Sequence, residues 1–167
     1  MARGDLSVVG ISGGARPFRV AASATRFYAG EPMMRTPSYS SGATNANTII
    51  VLTDTKPRVA TDNFVGVAAI DASGTGTLVA HKTSVTVPIP SITRVRGKAK
   101  TAANVDTDAE LLLILGDLVD FDLTSAVYTI DDTAASNASG LEIVDGNTAK
   151  STLDVTVDAR TMRTVIA

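Results

Sequence analysis

The sequence predicts an all-β fold with at most one short helix. Short β-branched segments recur about every eight to twelve residues, and residues that favour turns separate them, as in a barrel or sandwich. Of the 167 residues, 44% are hydrophobic, but only 4% are aromatic and tryptophan is absent. The core must therefore be built from Val, Ile, Leu and Ala, so burial against neighbouring molecules would add to its stability.

The clearest strand prediction lies in the middle of the chain, at Phe64–Ile70. These residues are small and apolar, which suits a strand buried on both faces, and Asp71–Gly76 supplies the Gly and Asp of a reversal. Leu78–Lys82 and Ser84–Pro90 are predicted to return as antiparallel strands. Because its two prolines cannot donate to a ladder, the last of these strands is expected to finish at a sheet edge.

The first 28 residues are predicted to form an extended basic arm, with a β-rich domain over residues 29–167. The first 35 residues contain five arginines and only two acidic residues, although the net charge of the whole chain is −2. Prolines and Gly13-Gly14 disfavour sustained helix, and Gly10–Gly14 is interpreted as a hinge. Such an arm is expected to order on a larger acidic partner, whereas the alternative is a flexible terminus with solvated arginines.

Further strands follow from the same alternation and turn signals. Val119–Leu123 is predicted to be half-exposed, because Asp120 and Asp122 alternate with apolar residues. Asp145-Gly146 predicts a hairpin turn, and Gly97–Asn104 is interpreted as a polar connection. The other predicted strands are Phe18–Ala22, Arg26–Gly30, Thr48–Leu52, Arg58–Ala60, Val127–Ile130, Leu141–Val144, Thr152–Val157 and Arg163–Ile166, and a turn at Ala29–Pro32 leads into Met33–Arg35.

Helix and strand both remain open for Leu111–Leu115. Thr107 and Glu110 have the spacing of a capping box, and Gly116 stands where a helix would end. Five consecutive aliphatic residues, taken alone, equally suit a buried strand.

No pattern of residues predicts a catalytic centre or a cofactor. His81 is the only histidine and lies at the polar end of a predicted strand, so it is expected at the surface. The absence of cysteine excludes thiolate metal sites, and zinc is not expected. The chain is therefore predicted not to be an enzyme.

Acidic residues are the remaining candidates for a metal site. Asp117, Asp120 and Asp122 have the oxygen atoms that calcium prefers, but their spacing lacks the EF-hand pattern. A solvated acidic strand face is favoured instead. Asp131 and Asp132 are expected in a loop, where they add solubility.

The charge balance and the apolar runs limit the classes of partner. A net charge of −2 argues against a general nucleic-acid binder. The apolar run Leu111–Val119 is interrupted by Asp117 and is far shorter than the roughly 20 residues that span a bilayer. A soluble protein without nucleic-acid or membrane partners is expected.

Several segments resemble a known family. Phe64-Val-Gly-Val-Ala-Ala-Ile-Asp71, a Gly/Ser/Thr turn, Thr77–Lys82 and Ser84–Val87 are similar to the core of the head decoration proteins of tailed bacteriophages, the capsid cement proteins of the lambda type. Ala29-Gly-Glu-Pro-Met-Met34 resembles the segment with which many such proteins open their folded domain. The likeness covers Gly30 to Arg96.

The resemblance implies a β-tulip or β-barrel-like domain that forms a homotrimer on the exterior of the expanded capsid. It implies assembly in the host cytoplasm, and contact with the major capsid protein through the basic arm, for which strand addition to a sheet edge is one mode. The residues expected to bind the capsid are Arg16, Phe18, Arg19 and Arg26. The alternatives are another virion component (a head fibre base, a minor capsid protein, or a tail or baseplate protein) and a carbohydrate-binding or hydrolytic β-domain. The missing tryptophan and the lack of a distinctive acid pair disfavour the last of these.

Overall fold

The structure is a computed structural model that describes residues 6–20, 28–35, 48–51, 57, 64–70, 82–124, 127–133 and 139–161. Within these ranges the chain forms eleven strands, one α-helix and three short 3-10 helices, which confirms the predicted all-β class. The strands are β1 (Ser7–Val9), β2 (Ala15–Val20), β3 (Pro32–Arg35), β4 (Thr48–Val51), β5 (Phe64–Ala68), β6 (Lys82–Thr86), β7 (Arg94–Lys98), β8 (Leu118–Thr124), β9 (Val127–Asp131), β10 (Leu141–Asn147) and β11 (Thr152–Val157), with the helix α1 (Asp108–Ile114) between β7 and β8. Some predictions lie outside the described residues. They concern His81, residues 78–81 of the strand predicted at Leu78–Lys82, and the strands predicted at Arg58–Ala60 and Arg163–Ile166.

Five strands form a barrel-like sheet in which the pairing returns to its start. The order is β2-β4-β3-β5-β6, and β6 pairs again with β2. The pairs are antiparallel except for two residues of β2 that run parallel to β4. All five residues of β5 are buried, as predicted, but the strand ends at Ala68, and the last two residues of the segment predicted at Phe64–Ile70 are exposed. Because β6 has a neighbour on both sides, the expectation that it lies at a sheet edge is wrong; the strand ends at Thr86, before its prolines.

The other six strands form an antiparallel sheet in the order β1-β7-β11-β10-β8-β9. Its far strand curves back toward β7, where Ala99 bridges Ile130 and the amide of Lys100 donates to the carbonyl of Ile130 at 2.9 Å. Buried and exposed residues alternate along β7. β7 therefore directs its apolar residues to the core and its cations to the opposite face, whereas consecutive residues of β11 are buried.

Both sheets contribute to one hydrophobic core. Met34, Phe64 and Val67 of the barrel-like sheet belong to the same buried cluster as Phe121 and Tyr128 of the six-stranded sheet. The rings of Phe64 and Phe121 lie 6.1 Å apart at a tilt of 47°, a favourable arrangement for an aromatic pair. The rest of the cluster is mainly aliphatic, as the composition predicts.

Residues 6–20 of the N-terminal segment supply one strand to each sheet. β1 pairs with β7 in one sheet, and β2 pairs with β6 over five residues in the other. Gly10 and Gly14, which have positive φ angles of 83° and 78°, let the chain change direction between the sheets. Within this linker, the amide of Gly13 donates a hydrogen bond to the carbonyl of Val87 at 2.8 Å. The predicted hinge is therefore a fixed connection.

The capping box decides the conformation of the aliphatic run at residues 111–115. The Thr107 hydroxyl accepts from the amide of Glu110 at 3.3 Å, and the Glu110 carboxylate accepts from the amide of Thr107 at 3.1 Å. These bonds satisfy donors that a helix leaves open at its first turn. The run is therefore helical up to Ile114, and Gly116, with a φ of 87°, follows the helix as predicted.

Two predicted connections are displaced. Asp145-Gly146 lies inside β10, beside a bulge, and the chain turns three residues later through a 3-10 helix at Thr148–Lys150. The Asn147 side chain accepts from the amide of Lys150 at 3.0 Å, and that bond positions the turn better than the Asp-Gly pair does. Gly97 and Lys98 belong to β7 rather than to a polar connection.

Gly66 of β5 is predicted to tolerate no side chain. Its φ is 149°, and a Cβ atom there would collide with the backbone carbonyl of Thr86 on β6. We expect Gly66→Ala to lower the free energy of unfolding by about 3 kcal/mol, measured by urea denaturation.

Gly116→Ala is the matched control for Gly66→Ala. Gly116 also has a positive φ, but nothing lies within 4 Å of the position that its Cβ atom would take, so only the backbone cost of roughly 1–2 kcal/mol remains. An equal loss of stability in the two variants would contradict the close approach of β5 and β6.

Candidate interaction surface

The residues predicted to bind a partner lie partly on one strand. Arg16 is exposed on β2 and pairs in register with Val85. Phe18 and Arg19 follow on the same strand. Arg26 lies outside the described residues. The structure thus brings three of the four residues onto a strand held within the barrel-like sheet, not onto a free arm.

The turn at Ala29–Pro32 is attached to the end of β5. Gly30 donates to the carbonyl of Ala68 at 2.8 Å, and the amide of Ala68 donates to the carbonyl of Glu31 at 2.9 Å. The side chain of Glu31 is buried, and its carboxylate accepts from the amide of Tyr28 at 3.0 Å. The Gly-Glu-Pro segment and the Val-Gly-Val-Ala strand, which are far apart in the sequence, therefore form one unit.

A second set of hydrogen bonds holds two exposed isoleucines in place. The hydroxyl of Thr93, which is fully buried, accepts from the amide of Ile89 at 2.7 Å and donates to the carbonyl of Ile11. Ser91 has a left-handed φ of 58°, and its amide donates to the carbonyl of Val157 at 3.1 Å. Ile11 and Ile92 remain 70% and 56% exposed, so these bonds hold apolar side chains in water.

The acidic residues of β8 and β9 are buried, which corrects two predictions. Asp120 and Asp122 do not form a solvated face, and Asp131 and Asp132 are not in a solvated loop. The ammonium group of Lys100 lies 2.8 Å from a carboxylate oxygen of Asp122 and 2.8 Å from one of Asp131. Hydroxyl groups of Thr124 and Thr133 donate to the other oxygens of these two carboxylates.

The ion triad of Lys100, Asp122 and Asp131 holds opposite charges together. Hydrogen bonds to Asp122 and Asp131 raise the pKa of Lys100 above its ordinary value. Burial by itself raises the pKa of Asp131, but the hydrogen bonds from Lys100 and Thr133 outweigh burial, so this pKa lies below its ordinary value. Lys100 follows β7, so the triad fastens the β8–β9 hairpin to that strand, and we assign it a structural role.

Other cations of the six-stranded sheet are also paired within the chain. Arg96 forms a two-pronged pair with the buried Asp154, at 2.6 and 2.8 Å. Arg94 binds Asp145 at 2.6 Å. Arg16, by contrast, pairs with no acid among the described residues.

The described residues contain no group of three His, Asp or Glu side chains placed to hold a metal ion. In the part of the chain that the structure describes, no helix has the length and apolar character needed to cross a membrane. No protein-family model matches the chain, and a search of curated proteins found none similar to it.

Sequence reasoning missed the residues that organise this surface. Lys100 is separated from Asp131 by 31 positions, and Thr93 from Ile11 by 82. Neither pair has a local pattern. The one available signal is Thr93 itself, a polar residue beside a proline-rich segment whose backbone donors need acceptors.

We expect Lys100→Met to destabilise the protein by roughly 2 kcal/mol at pH 7, because two buried carboxylates lose their cation. The Lys100 side chain is 39% exposed, so the loss is smaller than for a fully buried pair. Urea denaturation at pH 7 and pH 4 measures it.

The difference between wild type and Lys100→Met should shrink as the pH falls. In the wild type the pKa of Asp131 is lower in the folded than in the unfolded state. Its ionised form therefore stabilises the fold at pH values above about 3.9, the ordinary pKa of an aspartate, and this contribution is lost as the pH falls through the lowered pKa. In the variant, the hydrogen bond from Lys100 no longer opposes burial, so the pKa of Asp131 is higher than in the wild type and the variant loses less stability on acidification. Lys98→Met is the control, and an equal loss in both variants at pH 7 would contradict the role of the triad.

Proposed function

We propose that the protein is a head decoration protein of a tailed bacteriophage, which binds the exterior of the expanded head as a trimer and stabilises the junctions between capsomers. Its role is structural and involves no catalysis. The proposal rests first on the resemblance of residues 30–96 to this family of capsid cement proteins.

The observation that carries the proposal is the adjacency of the segments that show the resemblance. Pro32–Arg35, Phe64–Ala68 and Lys82–Thr86 are neighbouring strands of the barrel-like sheet. Gly66 is needed because β6 approaches it closely, and Gly30 and Glu31 bond to the end of β5. The segments that resemble this family are also in contact with one another in the folded chain. Such contact supports the proposal better than similar residues scattered over the structure would.

The surface chemistry is also compatible with adhesion to a large assembly. The proposed contact with the major capsid protein uses Arg16, Phe18, Arg19 and Arg26, from the segment where arginines outnumber acids. Each copy needs only weak binding, because many contacts on one shell act together. An aromatic-poor protein gains stability when neighbouring subunits cover its surface.

Binding to purified phage heads tests the proposal. We expect the protein to saturate expanded heads at hundreds of copies per particle, the order that the tiling of a shell requires, and to bind unexpanded heads weakly. Saturation at a few copies would favour the alternative of a tail, baseplate or fibre component. Failure to bind any head would overturn the proposal.

Substitution of arginines tests the capsid contact. Because residues 6–20 supply strands to both sheets, point variants are preferable to deletion of the first 28 residues. Arg19→Gln with Arg26→Gln is expected to weaken binding to expanded heads by about tenfold and to reduce its dependence on salt, since rim charges of this kind act through electrostatic attraction.

The control is the double variant Lys150→Gln with Arg160→Gln, which loses the same charge at a different place in the chain. Both of these side chains are exposed on the six-stranded side of the chain. Thermal unfolding of both double variants excludes misfolding as the cause. Equal loss of binding in the two variants would show that net charge, and not this segment, governs the contact.

A further inference from the structure

Asp145-Gly146 on β10 is the only place in the sequence where an aspartate or asparagine precedes glycine. At such a pair the main-chain nitrogen of the glycine can attack the side-chain carboxyl group before it, because glycine has no Cβ atom to obstruct the approach. The product is a cyclic succinimide. In a folded protein this reaction depends on the position of the nitrogen, on the protonation of the carboxyl group and on access of water.

The structure places the two reacting groups of this pair together. The amide of Gly146 donates to Oδ1 of Asp145 at 2.9 Å. The pairing of β10 with β11 is irregular between Ile143 and Asp145, so the main chain here departs from a regular strand. The Asp145 side chain is 53% exposed, so water reaches its carboxyl group.

The fold requires the glycine of this pair. A Cβ atom at position 146 would lie 2.8 Å from Cδ1 of Leu111 and 3.0 Å from the carbonyl oxygen of Thr152. Leu111 belongs to α1, so the packing of the helix on β10 depends on the missing side chain. A bulkier residue that would hinder attack on Asp145 is therefore disfavoured at this position.

Arg94 holds the carboxyl group of Asp145 in its less reactive form. Its Nη1 atom lies 2.6 Å from Oδ2 of Asp145, the oxygen that the amide of Gly146 does not use. An ionised carboxylate is a poor electrophile, because the oxygen that must leave as water carries negative charge. Hydrogen bonds from Gly146 and Arg94 lower the pKa of Asp145, so its protonated fraction is small at neutral pH.

We propose that Asp145-Gly146 is a site of spontaneous isomerisation to isoaspartate, and that Arg94 sets its rate by keeping the carboxyl group ionised. The nitrogen of Gly146 loses its proton to water and bonds to Cγ of Asp145, while the protonated carboxyl group loses one oxygen as water. A second water then opens the ring. Its attack at Cγ restores aspartate, and its attack at the main-chain carbonyl gives isoaspartate. One water leaves and one enters, so no other reactant is needed.

Isoaspartate would change the contacts on both sides of β10. The main chain would then pass through Cγ of residue 145 and gain one carbon atom, so Asp145 and Gly146 could not both keep their register with Asp154 and Leu153. Arg94 would lose the pair at 2.6 Å and keep only Asp154, at 3.8 Å. This inference does not depend on the proposed role on a phage head.

Incubation of the folded protein in water enriched in heavy oxygen tests the site. Each passage through the succinimide leaves one heavy oxygen atom at residue 145, which mass spectrometry of peptides locates together with isoaspartate. Asp158 is the internal control, because it pairs with Arg160 at 2.6 Å but precedes alanine, and it should stay unlabelled. An unlabelled Asp145 in the folded protein, after a time in which the denatured protein becomes labelled, would overturn the inference.

Substitution of the arginine tests what sets the rate. Arg94→Gln should raise the rate of labelling at Asp145 about threefold at neutral pH, a factor typical of an exposed ion pair. Arg160→Gln is the matched control, because it removes a similar pair from Asp158 and should leave the rate at Asp145 unchanged. Both variants are compared well below their thermal unfolding. Equal rates in wild type and Arg94→Gln would overturn the role of Arg94.

Asp145→Asn separates the effect of charge from the opening of the strand. Asparagine has no charge for Arg94 to stabilise, and ammonia leaves in place of water. We therefore expect Asp145→Asn to deamidate at the same rate with and without the added Arg94→Gln. A faster double variant would show that Arg94 acts by holding the strand closed, which would overturn the role assigned to its charge.

Discussion

The crossing of the N-terminal chain between the two sheets is the constraint on which the rest of this structure depends. β1 extends the six-stranded sheet, β2 completes the ring of pairing in the barrel-like sheet, and Gly10 and Gly14 allow the change of direction between them. Because the linker also bonds to Val87 and Thr93, both sheets meet around one core. The positions of Ile11 and Arg16 follow from this crossing.

Burial of charge is the second determinant of the fold. The β8–β9 hairpin contributes Phe121, Tyr128 and Ile130 to the core, and Lys100 also joins this hairpin to β7 through two buried carboxylates. Buried charges stabilise a structure only when they are paired and hydrogen-bonded. All four carboxylate oxygens of Asp122 and Asp131 have donors, so these acids serve the architecture.

A protein with this arrangement suits adhesion. Its polar networks are used to hold strands and loops together, and its exposed isoleucines and leucines are presented on fixed loops and a capped helix. The proposed role on a phage head has one physical reason. Apolar surface that the chain cannot cover by itself gains free energy when a neighbour covers it.

The sequence by itself determined the all-β class, a buried strand that begins at Phe64 and the capped start of α1, because alternation and capping are local properties of a few adjacent residues. It did not determine that Asp120 and Asp122 are buried, since an acidic residue on an alternating strand looks solvated until its partner is known. Only the tertiary structure places Lys100 beside Asp122, the turn after Asn147, and Ile11 beside Thr93. These features depend on pairing between strands that are far apart in the sequence, and no local pattern of residues specifies which strands pair.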